Sequence, residues 1–302
     1  MKITFFFFLL VTSTSYCQDK SKESFDKAVE FKKSGKFVEA INEYDNAIKI
    51  KPDFAIALIN RGNLKSLLQD NLGAIEDYNK AEKIAPADPE VFYNRGNAEN
   101  DLKHYEEAIL DYNKAIALKE HEDYYLGRGV SKKANGQYAS AILDFTQAIR
   151  IKPKFDDAYY NRGNAKRKID SIQSAILDYN IAIELNPGKA GAFINRGNAK
   201  ITLKEFEGAI LDFSSALELR PTDPIQYNNR AIAKAGLKDY EGAVKDYSKA
   251  IELNPKFADS YFGRAGIKLN TGDKVGECED LKKASMLGHE RATLIYNKAC
   301  SN

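Results

Sequence analysis

Between residues 156 and 189 the apolar positions follow the period of an α-helix, twice. Tyr159, Gly163 and Lys166 share one face of a first segment, and Ala175, Ile176, Tyr179, Ala182 and Ile183 form a stripe on a second. Steps of three and four residues place side chains on one side of a 3.6-residue helix. The pattern predicts two antiparallel helices joined near Asp170, with Pro187 ending the second.

The same pattern returns along the chain. "NRGN" stands at 60–63, 94–97, 161–164 and 195–198, and its arginine belongs to a longer column: Arg61, Arg95, Arg128, Arg162, Arg196, Arg230 and Arg264, at steps of 34 residues with one of 33. A phosphate-cradling loop would occur once. Self-similarity at a fixed period instead predicts stacked units, each burying an apolar face against the next. Pro52, Pro86, Pro153, Pro187, Pro221 and Pro255 end successive periods, with Glu120 in the place of proline where one residue is missing. Ala40, Ala74, Ala108, Ala141, Ala175, Ala209 and Ala243 form a small-residue column. Tyr44, Tyr78, Tyr112, Phe145, Tyr179, Phe213 and Tyr247 form an aromatic one four residues later. Small residues let helices approach closely and rings fill the space between them. Gly62, Gly96, Gly129, Gly163 and Gly197 are accordingly expected at helix crossings, despite a cost of about 1 kcal/mol each in a helix interior.

These columns resemble the tetratricopeptide repeat (TPR). The resemblance spans eight units, at 21–54, 55–88, 89–121, 122–155, 156–189, 190–223, 224–257 and 258–291. It implies an all-α fold, a right-handed α-solenoid superhelix of about eight helix-turn-helix units. A capping helix is expected at 289–300, where "HERATLIYNKAC" carries apolar residues at helical spacing after Gly288. Ser24 and Leu58 replace the aromatic usual early in the first helix, and Glu277 replaces an alanine; terminal units are commonly atypical because one side faces water.

The resemblance implies a noncatalytic scaffold or adaptor that holds a peptide or helix of a protein partner in its concave groove. In TPR proteins the second asparagine of the tetrapeptide (Asn63, Asn97, Asn164, Asn198) lies on the concave wall, where amides suit the backbone of an extended peptide. A solvated polar face is the alternative. Beside them come Ile59, Tyr93, Leu126, Tyr160, Ile194, Asn228 and Phe262, anchors of the kind enriched in binding surfaces. TPR domains that clamp a C-terminal carboxylate carry a cation at the second position of a unit. Here those positions hold Ile56, Glu90, Asp123, Asp157, Gly191, Ile225 and Asp259, so an acidic tail is not the expected ligand. Self-assembly of solenoids through their end faces, in the cell envelope, is the second functional reading.

The charges fit a structural role. Asp77, Asp111, Asp144, Asp178, Asp212, Asp246 and Asp280 each follow an arginine of the column by 16 residues. Positions equidistant from the turn of an antiparallel pair face each other, so the sequence predicts a ladder of ion pairs, with Lys27 and Glu43 as its first rung. Over the whole chain 45 Lys and Arg stand against 43 Asp and Glu, a net charge of +2 that gives no pull toward nucleic acid or anionic lipid.

No catalytic pattern emerges. His104, His121 and His289 have no partner at metal-ligand or nucleophile-base spacing, and acid pairs such as Glu106-Glu107 and Asp156-Asp157 fall on helix surfaces. An enzyme is not expected, nor a metal or cofactor. Residues 1–17, "MKITFFFFLLVTSTSYC", pair a lysine with an apolar run from Ile3 to Val11, too short for a membrane-spanning helix, which needs about 20 residues. An export signal cleaved before Gln18 is expected, followed by a short segment at 18–20, which implies a periplasmic or secreted protein. Lipid attachment at Cys17, giving an outer-membrane lipoprotein, is the alternative. Tyrosine and asparagine usage, with the "YCQ" region, resembles exported proteins of Bacteroidetes-type bacteria. Cys278 and Cys300 lie symmetrically about His289, so folding back the cap would bring them together. In an oxidising compartment this suggests a disulfide, two free thiols being the alternative.

Overall fold

The computed structural model describes residues 20–300, and every regular element in them is an α-helix. The expected export signal and Cys17 lie outside the described residues. The chain divides into two compact units between Pro153 and Lys154. The first holds α1 (20–33), α2 (Phe37–Ile50), α3 (Ala55–Leu67), α4 (Asn71–Ile84), α5 (Pro89–Asp101), α6 (Tyr105–Leu118), α7 (Glu122–Ala134) and α8 (Tyr138–Ile151). The second holds α9 (Asp156–Lys168), α10 (Ile172–Leu185), α11 (Ala190–Thr202), α12 (Phe206–Leu219), α13 (Pro224–Gly236), α14 (Tyr240–Leu253), α15 (Ala258–Thr271), α16 (Lys274–Met286) and α17 (Glu290–Ala299). Within each unit the helices pack as antiparallel pairs, each second helix packs on the first helix of the next pair, and successive first helices touch along one face. No helix among the described residues is long and apolar enough to cross a membrane.

Local chemistry sets the helix ends. The turn inside each pair contains one left-handed residue: Gly35, Gly136 and Gly272 at φ of 73°, 77° and 82°, and Gln69, Lys103, Asp170, Lys204 and Lys238 at 58° to 68°. Asp70, Asp239 and Asp273 then start α4, α14 and α16 by accepting the backbone N–H of Gly73, Gly242 and Gly276.

Two side-chain columns join the helices of a pair. The ring of the second helix lies on the glycine of the first: a Cβ on Gly163 would stand 2.7 Å from Tyr179 Cε1, and one on Gly62 2.8 Å from Tyr78 Cε1. Tyr44, Tyr78, Tyr112, Phe145, Tyr179 and Phe213 are at most 2 % exposed.

The second column is ionic. Nε and Nη2 of Arg61, Arg95, Arg128, Arg162, Arg230 and Arg264 grip both oxygens of Asp77, Asp111, Asp144, Asp178, Asp246 and Asp280, and Arg196 grips Asp212 in the same way. Nη1 reaches back to the preceding pair, from Arg61 to Asp45 (2.5 Å), Arg95 to Asn79 (2.6 Å), Arg196 to Asn180 (2.7 Å) and Arg230 to Ser214 (3.0 Å). A column that sequence reading missed completes the rung: Lys65, Lys132, Lys166, Lys200, Lys234 and Lys268, four residues after the arginine, place Nζ 2.8–2.9 Å from the same aspartates. The expected first rung is corrected: Lys27 bonds Glu23, one turn earlier on its own helix, at 2.7 Å and not Glu43. An i, i+4 pair on an exposed helix forms without the chain folding back.

At the C-terminal end α17 packs on α16, burying Ala292 against Ala265, Leu281 and Ala284. Cys278 and Cys300 are joined in a disulfide with Cα atoms 5.6 Å apart. Glu277, in the alanine column, is 3 % exposed and bonds Lys274 at 3.0 Å.

Two outcomes follow from the columns. Gly163→Ala should destabilise by about 1–3 kcal/mol, because the new methyl overpacks the Tyr179 ring; urea unfolding checks it, and unchanged stability would refute the close approach. Burial opposes ionisation of Asp246, but hydrogen bonds from Arg230 and Lys234 outweigh it and hold the carboxyl below its usual range. A depressed folded value stabilises above the unfolded carboxylate range and is lost as pH falls through the folded one. Tm should therefore hold steady above about pH 5 and decline below about pH 4, less steeply in Asp246→Asn. Thermal melts across that range decide.

Candidate binding face

The first helices of each unit present one continuous face. In the first unit Asn63, Ser66, Leu67, Gln69, Tyr78, Asn94, Asn97 and Asp101 line an open groove of about 380 Å³ between α3 and α5. Its floor is organised from beneath. The phenol of Tyr78 donates to Asn63 Oδ1 at 2.7 Å, and that of Tyr112 to Asn97 Oδ1 at 2.6 Å. In the second unit Tyr179 donates to Asn164 Oδ1 at 2.8 Å. Burial pushes the Tyr179 phenol up to about 12, so the proton stays on the donor. With the carbonyl oxygen turned inward, Asn63 offers the groove its amide donors.

Irregular pairs show what the hydroxyl needs. In the first pair the asparagine position holds Val29, and the buried Tyr44 hydroxyl has no hydrogen-bond partner among the described residues. In α11 Asn198 faces Phe213, which has no hydroxyl to occupy its oxygen.

The first asparagine of the tetrapeptide also belongs to this face, which sequence reading missed. Asn94 lines the groove, and Asn195 Nδ2 donates to Asn164 Oδ1 at 2.7 Å and to the Tyr160 hydroxyl at 3.2 Å, linking α9 and α11. Its spacing of three from the second asparagine, one helical turn, was the available signal.

The expected anchors separate. Tyr93 is half-buried, its ring 4.8 Å from that of Tyr124 and 6.0 Å from that of Tyr112. Tyr160 is half-buried with Lys189 Nζ 5.4 Å from its ring centre, and Leu126 and Ile194 are half-buried. Three positions need correction. Ile59 is 8 % exposed and packs with Leu58, Tyr78 and Val91, so the core of its pair consumes it. Asn228 is buried and accepts a hydrogen bond from Ser260 at 3.0 Å. Phe262 stacks on His289 at 4.2 Å with Arg291 on the ring, so α17 covers it.

Two of the three histidines cap helices with their side chains, and His104 Nδ1 instead bonds Glu99 at 2.8 Å. His121 Nδ1 accepts the N–H of Asp123 at 3.2 Å, and His289 Nδ1 that of Ala292 at 3.1 Å. His121, Glu122 and Asp123 do gather possible ligand atoms within 4.8 Å of one another, a grouping that spacing alone did not suggest. The cap already engages the Nδ1 lone pair of His121.

Profiles described as tetratricopeptide repeat match residues 89–122, 156–189, 190–223 and 224–257, and a TPR repeat profile matches 28–69, 67–99 and 129–169. The chain belongs to the tetratricopeptide repeat family. Solved structures agree in fold. The C-terminal part of a TPR repeat-containing protein from Cytophaga hutchinsonii is 23% identical, covering 76% of this chain and 95% of that one, with a TM-score of 0.65. PilW, a type IV pilus biogenesis factor, is 18% identical over 67% of this chain and 94% of its own, with a TM-score of 0.61. YrrB, a TPR protein with an unusual peptide-binding site, is 22% identical over 65% of this chain and 97% of its own, with a TM-score of 0.52. The chain has no significant match among curated proteins.

The asparagine-tyrosine bonds make a matched pair of substitutions informative. Tyr179→Phe should lose about 1 kcal/mol through its bond to Asn164, whereas Tyr44→Phe should be neutral or stabilising by up to about 1 kcal/mol because its hydroxyl is buried unpaired. Equal losses in urea unfolding would refute the assignment.

Proposed function

We propose that the protein is a noncatalytic scaffold of the cell envelope that holds an extended peptide segment of a protein partner along its first-helix face. The observation that carries this reading is the amide-lined groove of the first unit, whose Asn63 and Asn97 are fixed by tyrosines of the second helices. Amides held in place before the ligand arrives lose little side-chain entropy on binding. They can meet backbone groups of a peptide whatever its side chains are. The peptide-binding site named for YrrB supports the same reading by likeness of fold. The export signal expected at residues 1–17 favours a scaffold that works outside the cytoplasm. Self-assembly through end faces is less favoured, because α17 covers the last helix pair.

Selection of a random-peptide library on residues 18–302 tests the proposal. Peptides retained by the wild type should bind the triple variant Asn63→Ala, Asn94→Ala, Asn97→Ala at least tenfold more weakly, at about 1 kcal/mol for each lost hydrogen bond. Equal binding by a folded variant would move the site off this face.

A further inference from the structure

One rung of the ionic ladder is built differently. In six pairs the aspartate takes Nε and Nη2 of an arginine together with Nζ of a lysine, at 2.8–2.9 Å from the carboxylate. In four of them the lysine also reaches a backbone oxygen of the second helix, at Gly73, Gly208, Gly242 and Gly276. In the pair α5–α6 the lysine position is Glu99. Asp111, with its side chain 8 % exposed, keeps its bonds from Arg95 but has no second cation among the described residues. Instead of an aliphatic stem, a cleft of about 500 Å³ opens here between α4, α5 and α6.

The walls of this cleft match what is missing. Ile75 and Leu110 supply apolar surface, while Asp111, Glu99 and Glu107 supply carboxylates. Glu99 has its side chain only 14 % exposed, and its partner is His104 Nδ1 at 2.8 Å, which carries charge only when protonated. The two cations that line the cleft already have partners: Arg95 holds Asp111, Asn79 and Glu82, and Lys114 holds Glu82 at 3.0 Å. Asp111 and Glu99 bring more negative charge into this half-enclosed place than Arg95 balances, and an ammonium ion entering beside them offsets the excess. The cleft shares no residue with the amide-lined groove.

We propose that this cleft is a docking site for a lysine side chain of a protein partner, its ammonium taking the place at Asp111 that an internal lysine fills in the sister pairs. The site lies apart from the peptide groove and does not depend on that reading. The lysine stem lies along Ile75 and Leu110, and the ammonium bonds Asp111 and Glu99.

The test is titration of the full isotope-labelled chain with Nα-acetyl-lysine methylamide, followed by amide chemical shifts. Saturable shifts confined to residues around Glu99, Glu107, Leu110 and Asp111 are expected, with a Kd in the range of about 1–50 mM for so small a probe. Nα-acetyl-norleucine methylamide, which lacks the ammonium, should produce none. Glu99→Lys should abolish the shifts by filling the site from within, and should raise Tm by about 2 °C, as a restored rung would. Glu107→Gln, an exposed change that leaves the Arg95 bonds intact, should weaken the titration severalfold. The proposal is overturned by the absence of saturable shifts, by equal shifts with norleucine, by their persistence in Glu99→Lys, or by a fall in Tm in that variant.

Discussion

The arginine found in seven of the eight helix pairs is the point through which the rest of the structure is tied. Its planar fork engages one aspartate through Nε and Nη2, which closes the pair. Its third nitrogen reaches the second helix of the preceding pair, which fixes the stacking, as with Asn79 for Arg95 and Asn180 for Arg196. The face of the guanidinium lies on a ring of its own helix, Phe92 for Arg95 and Tyr227 for Arg230. A lysine could supply the charge but not the fixed geometry of three directed contacts and a stacking plane. Such a buried network adds little net stability over an apolar replacement, yet removing one partner costs about 3–5 kcal/mol. Its effect is to make one register of helix on helix far better than its neighbours.

The binding face inherits its order from that packing. An aromatic ring can lie against a glycine this closely only when the two helices are near, and in that position its hydroxyl reaches the asparagine one residue beyond the glycine. Tyr78, Tyr112 and Tyr179 thus serve the core with their rings and the surface with their hydroxyls. A repeat protein builds a long row of equivalent groups this way without a separate framework for each.

Departures from the repeat carry the remaining information. Val29 leaves Tyr44 without a partner, Phe213 leaves the oxygen of Asn198 without a phenol, and Glu99 lines a cleft at the position where six sister pairs carry a lysine bound to the aspartate. Each is a single residue whose meaning appears only against the other copies. The uniform columns reflect packing, so they say little about which ligand is bound.

The sequence by itself determined the helix pairs, their 34-residue period and the family, because burial of small and aromatic residues at helical spacing leaves few other solutions. The arginine and aspartate columns could be paired from their equal distances to the turn. The lysine column was not legible, since lysine is common on solvated helix faces and nothing in its spacing distinguishes a bound ammonium from a free one. The binding face divided in the same way. Its asparagines were visible as a motif, but that Ile59 belongs to the core, that α17 covers Phe262 and that Asn195 bridges two helices were decided by tertiary structure. A helix presents many side chains toward a neighbour, and only the distance and angle of that neighbour determine which of them are buried, which are bonded, and which remain to meet a partner.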